Sequence, residues 1–366
     1  MTATLPRTSY DQERTLNRMS TVIATELSRL LIDGGRVVVN PGDTLPFLTE
    51  WRHRGKGHAA CVVLPRSIAE VQAIVRYCAL NELSITPQGG NTGLSGGAWP
   101  QSQFTVLLNL REFRRIRSIS REGAYVVADA GATLHEINVH SREVDLFLPI
   151  DIGSRESATV GGVVATNAGG MNVLRYGTTR EQVLGLEVVL ADGELWDGLR
   201  ANRKDNSGPD LKQLFIGTEG TLGIVTGVCM RLVPLETHTA TVLREAPSMN
   251  EVLALLRLAR QLGSERLSNF ELMSGFAVRE ATKRVLGIEP PLGATGDWYV
   301  LARFAGTDSV SNLAHVLAEQ AFEAGFAKDG TLPRSLSEEE RLWRIRDSFS
   351  ELHRHLGPSH RFDIAV

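Results

Sequence analysis

The residues of this chain best suited to chemistry are glycines. The stretch PQGGNTGLSGG, Pro87 to Gly97, carries five glycines in eleven residues. Its spacing at Gly90, Gly93 and Gly96 is GxxGxxG, neither the GxGxxG of a dinucleotide-binding turn nor a loop ending in Gly-Lys-Ser/Thr. What such a loop offers is backbone. Glycines allow close approach and positive φ, so that successive N–H groups can converge on an anion. A second cluster, VGGVVATNAGG at 160–170, places Gly161 and Gly162 where a short helix could start with its first N–H groups facing a phosphate. A third, GTEGTLGIVT, runs from Gly217 to Thr226. Turn glycines and close packing through small residues are the structural alternatives at each loop. Three such loops, each beside a strand end, favour one elongated, phosphate-bearing ligand.

Other reactive side chains are dispersed. Histidines stand at 53, 58, 135, 140, 238, 315, 353, 355 and 360, with no HxxxH pair, and His353 and His355 point in different directions on a helix. Cys61, Cys78 and Cys229 lie in apolar segments without CxxC spacing, which suits reduced core thiols and a reducing, cytoplasmic location.

The elements that must position the loops follow from periodicity. Leu16, Met19, Val22, Ile23, Leu27, Leu30 and Leu31 form one helical stripe, stopped by the glycines of Asp33-Gly34-Gly35. ACVVLP reads as a buried strand, and Ser67 with Glu70 as a capping box opening a helix. LSIT is a strand running into the first glycine loop. FTVLLNL and YVVADAGAT follow as strands, then a helix over 134–142 and a hairpin turning at Asp192-Gly193. After Pro234 the order becomes strand, helix, strand, strand, helix, a split unit of ferredoxin-like kind. A long charged helix over 335–356 precedes HRFDIAV, which alternates as a strand. The class is α+β.

At 366 residues and 42% hydrophobic, the chain is long enough for two or more domains. A net charge of −3 with basic residues read as scattered speaks against a nucleic-acid partner. The N-terminus lacks a signal-peptide pattern and no run reaches membrane-span length, which predicts a soluble chain and leaves peripheral membrane contact open.

Five segments in order, LPRSIAEVQAIVRYC, ITPQGGNTGLSGG, PIDIGSRESATVGGVVATNAGG, RYGTTREQVLGLEVVLADGE and LKQLFIGTEGTLGIVT, resemble the PCMH-type FAD-binding domain of the vanillyl-alcohol-oxidase superfamily. Within it they resemble the D-2-hydroxyacid dehydrogenase branch, whose members act on D-2-hydroxyglutarate, D-lactate or glycolate. The resemblance implies an N-terminal helical segment over 1–39, a two-subdomain FAD-binding domain over 40–236, and a ferredoxin-like cap domain over 237–366, incomplete at its C-terminus. It implies that Pro87, Gly89, Gly90, Asn91, Thr92 and Gly93 wrap the FAD pyrophosphate. Pro149, Asp151, Thr159, Gly162, Asn167 and Gly170 line the diphosphate and ribityl region, and Glu219, Gly223 and Ile224 border the adenosine. Covalent relatives often carry a histidine in the first loop; this loop has none, so the flavin is expected to be dissociable.

The resemblance also places Arg346, Ser350 and Arg361 at the substrate carboxylate, a role that suits a bidentate guanidinium. It implies hydride transfer from a 2-hydroxyacid to flavin N5, with a quinone or an electron-transfer flavoprotein as electron acceptor. Where the family commonly has lysine, this chain has Arg361. The family's metal ligands and candidate base belong to a GDGNLH-type segment and a later Glu-His pair, and neither stands in this sequence. No catalytic base and no zinc site are therefore assigned. The expectation is a chain truncated relative to that family, with a cap that lacks a strand and closing helices and leaves apolar surface exposed.

Overall fold

The computed structural model describes residues 9–50 and 55–357, in two compact units. The first takes the chain up to Gly169 together with Thr178–Val233, and the second takes Gly170–Gly177 and the chain from Pro234.

The first unit holds two sheets. In one, strand Arg36–Val38 pairs antiparallel with Cys61–Leu64, which pairs parallel with Thr105–Asn109, which pairs parallel with Ser84–Gln88. Helix Ile68–Leu80 makes the crossover between Cys61–Leu64 and Ser84–Gln88 and buries Val71, Ile74, Val75 and Cys78. Every residue of Cys61–Leu64 and Thr105–Asn109 is buried, as central strands covered on both faces require. The second sheet is antiparallel, ordered Ile116–Ser120, Tyr125–Asp129, Ile224–Arg231, Val183–Val189, Leu195–Gly198.

Two local expectations change. Helix Ser9–Leu30 buries Ile23, Ala24 and Leu27 but exposes Met19 and Val22, so its buried stripe is narrower than the sequence pattern. Leu16 and its neighbours lie where side chains are not described. At helix Ile68–Leu80 only half of the capping box forms: Ser67 Oγ accepts from Glu70 N at 3.2 Å. The Glu70 carboxylate instead accepts from Asp33 N at 2.7 Å, Gly35 N at 3.2 Å and Arg66 N at 2.7 Å. A carboxylate surrounded by three N–H donors ties down the segment that follows the N-terminal helix. The reciprocal box is at Thr133 and Glu136, capping Leu134–Arg142.

The second unit is a four-stranded antiparallel sheet ordered Leu267–Ser274, Trp298–Gly306, His238–Ala246, Asp329–Thr331. Numbered along the chain this is 2-3-1-4, the ferredoxin-like order, with the three-residue strand Asp329–Thr331 in the fourth place. One face packs on helices Met249–Gly263 and Ser311–Glu323 through Val242, Phe304, Leu255 and Leu317. The other face buries Leu243, Tyr299 and Leu301 under Val278, Leu342, Trp343 and Ile345. The long charged helix divides at Ser348 into Leu336–Asp347 and Phe349–Leu356. Ser348 Oγ donates to Ile345 O at 2.7 Å, the back-bonding that bends helices. HRFDIAV lies outside the described residues.

Candidate functional site

The three glycine loops of the first unit meet. A cleft is lined by Pro87, Gly89 and Gly97 of the first loop, Thr159, Gly161 and Gly162 of the second, and Glu219, Gly220, Gly223 and Ile224 of the third. Seven of the residues singled out from sequence therefore share one surface: Pro87, Gly89, Thr159, Gly162, Glu219, Gly223 and Ile224.

The glycines make that meeting possible. A Cβ on Gly89 would lie 2.2 Å from Thr159 Oγ1, and one on Gly90 1.8 Å from the Ser157 carbonyl oxygen. The first loop touches the third in the same way, for a Cβ on Gly97 would lie 1.9 Å from Glu219 Oε2 and one on Gly220 2.3 Å from Pro87 Cγ. Any side chain at these positions would push the loops apart. Gly93 differs, since a Cβ there meets nothing within 4 Å.

The N–H groups of the first two loops have opposite fates. At the start of helix Val160–Thr166, Val160 N donates to Ala132 O and Gly161 N to Ala130 O, both at 2.8 Å, while Thr159 Oγ1 accepts from Gly162 N at 3.3 Å. The donors that the sequence reading turns toward a phosphate are thus satisfied within the protein. Gly161 serves packing, with a Cβ position 2.5 Å from Ala130 Cβ. In the first loop, among the described residues, the N–H groups of Gly90, Asn91, Thr92 and Gly93 meet no acceptor. Four consecutive free donors on a half-exposed turn fit an anionic group such as a pyrophosphate.

Polar side chains outside the glycine pattern hold the loops in place. Buried Gln88 donates through Nε2 to Phe47 O and Ala98 O, both at 2.9 Å, so it spans the base of the first loop. Asn109 Nδ2 donates to Gln88 Oε1 at 2.9 Å and to Gly89 O at 3.0 Å. Asn91 Nδ2 donates to Thr49 O at 3.0 Å, which ties its side chain to the segment before the loop. Asn167 adopts a left-handed φ of 48° to end the short helix, and its Oδ1 accepts from Arg180 N at 2.9 Å. The Arg180 guanidinium donates to Gln213 Oε1 at 2.5 Å and Ile216 O at 2.7 Å, joining the second loop to the third. Gln88, Asn109 and Arg180 were not singled out from sequence. The available signal was a polar residue at each strand end and an arginine in the RYGTTREQ segment.

The remaining predicted positions are more dispersed. Pro149 is buried and Asp151 half-buried, the latter paired with Arg155 at 3.0 Å. Gly170 belongs to the second unit. So does Arg346, whose Nε donates to Glu271 Oε2 at 2.8 Å and whose Nη1 stands 3.6 Å from Asp347. The guanidinium expected to meet a substrate carboxylate already holds one from its own chain. Ser350 is exposed and lies beyond the break at Ser348, on the next helix. Arg361 lies outside the described residues, as do His53 and His360.

One turn before Arg346, Trp343 is fixed by its Nε1 donating to Thr241 Oγ1 at 3.1 Å and by the Arg303 guanidinium 4.2 Å from its ring centroid. Arg303 also pairs with Glu339 at 3.2 Å, and this cluster seats helix Leu336–Asp347 on the sheet.

Burial pushes the thiols of Cys61, Cys78 and Cys229 up to about 12, so they are protonated and inert at neutral pH. Among the described residues no group of three or more His, Cys, Asp or Glu side chains is placed to hold a metal ion. No described helix is long and apolar enough to cross a membrane.

Comparison with known proteins gives two family matches in chain order. The FAD binding domain matches residues 59–198, and the C-terminal domain of FAD linked oxidases matches residues 235–366. Mitochondrial D-2-hydroxyglutarate dehydrogenase of Bos taurus is 35% identical over 334 residues, covering 91% of this chain and 61% of that protein. A putative mitochondrial D-lactate dehydrogenase of Schizosaccharomyces pombe is 32% identical over 339 residues, covering 92% of this chain and 64% of that protein. The chain thus spans about six tenths of the length of the curated relatives it matches. Among solved structures, alkyldihydroxyacetonephosphate synthase superposes with a TM-score of 0.70 at 18% identity, over 90% of this chain and 64% of the other. The expected cytoplasmic location is overturned, because these relatives are named as mitochondrial. Buried reduced thiols, the basis of that expectation, report a reducing environment and do not identify a compartment.

Proposed function

The chain belongs to the FAD linked oxidases, and from that premise we propose that it oxidises a D-2-hydroxyacid to the 2-oxoacid with FAD as the immediate electron acceptor. The observation that carries the reading is the run of free N–H donors from Gly90 to Gly93, on a half-exposed turn whose flanks at Gly89 and Gly97 meet the second and third glycine loops. When bound, FAD supplies the acceptor for a hydride at N5. The protein's part is binding and orientation. Gly89 to Gly93 with Pro87 wrap the pyrophosphate; Pro149, Asp151, Thr159, Gly162, Asn167 and Gly170 line the diphosphate and ribityl portion; Glu219, Gly223 and Ile224 border the adenosine.

In the second unit, Arg346 neutralises the substrate carboxylate, aided by Ser350 and by Arg361. Glu271 holds Arg346 through Nε and Asp347 stands 3.6 Å from Nη1, so the substrate carboxylate would engage the guanidinium through Nη2. The substrate class is that of D-2-hydroxyglutarate, D-lactate or glycolate. The flavin is dissociable, since the first loop offers no histidine for attachment, and electrons leave to a quinone or an electron-transfer flavoprotein.

An absorbance spectrum of the purified chain, followed by anaerobic addition of each hydroxyacid, tests this. A flavin band at about 450 nm that bleaches with one D-2-hydroxyacid supports the dehydrogenase. A band that no hydroxyacid bleaches identifies a flavin-binding module without independent turnover. A colourless protein that cannot be reconstituted with FAD contradicts both. Acid precipitation tests the attachment: dissociable flavin stays in the supernatant.

A further inference from the structure

After strand Thr105–Asn109 the chain reads REFRRIRSISR, five arginines in the eleven residues 111–121. Basic residues that look scattered along the whole chain are concentrated here. The fold uses three of the five internally: Arg115 and Arg117 pair with Asp129, Arg117 also with Glu187, and Arg121 with Asp145. Arg111 and Arg114 remain, and with Arg66 and Glu112 they line a hollow of about 300 Å³.

The hollow has a defined place. Arg66 stands two residues beyond the end of Cys61–Leu64, and Arg111 two beyond the end of Thr105–Asn109, neighbouring parallel strands. The carboxyl ends of parallel strands are where open α/β sheets bind ligands. Its charge is also arranged. The Glu112 carboxylate spans two guanidinium groups, with Arg36 at 2.8 Å on one oxygen and Arg66 at 3.1 Å on the other, and so orients both without neutralising both. Arg111 has no carboxylate partner among the described residues; its guanidinium carbon sits 5.1 Å from the Phe47 ring centroid. Stacking fixes the plane and leaves the N–H edge free. Arg114 faces Glu136 only at 3.6 Å. Of the residues lining the hollow, three guanidinium groups stand against one carboxylate, with Glu136 and Glu70 offsetting part of that positive charge from behind.

We propose that this hollow binds a small phosphate-bearing anion, inorganic phosphate to diphosphate in size, at a site separate from the glycine loops. Several planar forks converging on one space match the many oxygens of a phosphate or diphosphate, whereas a monocarboxylate needs a single fork. The limited volume, about 300 Å³, suits a small anion better than an extended polyanion.

Calorimetric titration of the full chain with inorganic pyrophosphate at low salt, with and without added FAD, tests the site. Saturable binding with a dissociation constant below about 1 mM is expected, unchanged by FAD. Arg111→Gln should weaken it about tenfold, and Arg66→Gln with Arg111→Gln should abolish it, while exposed Arg257→Gln leaves it unchanged. Thermal melts of the variants within a degree or so of the parent exclude misfolding as the cause. No saturable binding, equal binding by the double variant, or binding that FAD abolishes would overturn the proposal. The last outcome would assign the anion to the glycine loops.

Discussion

The first and second glycine loops read alike and act differently. In PQGGNTGLSGG the N–H groups from Gly90 to Gly93 are free among the described residues, whereas in VGGVVATNAGG the leading N–H groups are donated to Ala130 and Ala132. The first uses glycine to bring its own backbone to a ligand and to the neighbouring loops. The second uses it to seat a seven-residue helix against the 130–132 segment. Glycine density therefore locates a close approach, and only the hydrogen-bond inventory tells whether the approaching partner is protein or ligand.

Substitutions can separate the two roles. The largest effect is expected at Gly161, where a side chain would have to enter space held by Ala130. Gly161→Val should destabilise the first unit by several kcal/mol and leave little folded protein, checked by thermal denaturation and soluble yield. Next is Arg180, whose guanidinium joins the second loop to the third. Arg180→Met should cost about 2 kcal/mol and weaken FAD binding, because Gln213 and Ile216 lose a charged donor. Gly93→Val should do the reverse. Its Cβ meets nothing within 4 Å, so the melting temperature stays put while the FAD dissociation constant rises about tenfold. Equal losses of stability at Gly93 and Gly161 would break the contrast.

The smallest effect concerns the second unit. Glu271→Gln keeps an acceptor for Arg346 Nε and removes the competing charge, so binding of a 2-hydroxyacid should tighten about threefold. Glu271→Ala, which also frees the guanidinium, should lose that gain.

A pH experiment addresses the core instead of the loops. Cys61, Cys78 and Cys229 titrate at about 12 when folded, against 9.0 ordinarily. The unfolded chain thus releases these protons first, and stability should fall as the pH rises from about 9 toward 12. Chemical denaturation across that range, compared with a triple Cys→Ala variant, isolates the contribution.

Much of this was legible in sequence because it rests on local rules. The unbroken burial of Cys61–Leu64 and Thr105–Asn109, the switch of texture near Pro234 and the strand-helix order of the second unit follow from apolar runs and spacing. What was hidden depended on competition between partners. Ser67 and Glu70 satisfy a capping-box pattern, yet the backbone donors of Asp33 and Gly35, 37 and 35 residues away, together with Arg66 N, outcompete the cap for the Glu70 carboxylate. Arg346 matches a carboxylate-binding position, but its pairing with Glu271 joins residues 75 apart in sequence. The Gly161 donors likewise find acceptors on a strand end that no local pattern brings to them.

The central claim is that the first loop's free backbone donors, not the second loop's helix start, hold the FAD pyrophosphate. Amide resonances of Gly90, Asn91, Thr92, Gly93, Val160 and Gly161, followed by isotope-edited NMR as FAD is added, test it directly. The account predicts large downfield shifts and exchange protection at residues 90–93, with Val160 and Gly161 nearly unmoved. Strong perturbation at Val160 and Gly161, with residues 90–93 unchanged, would contradict it.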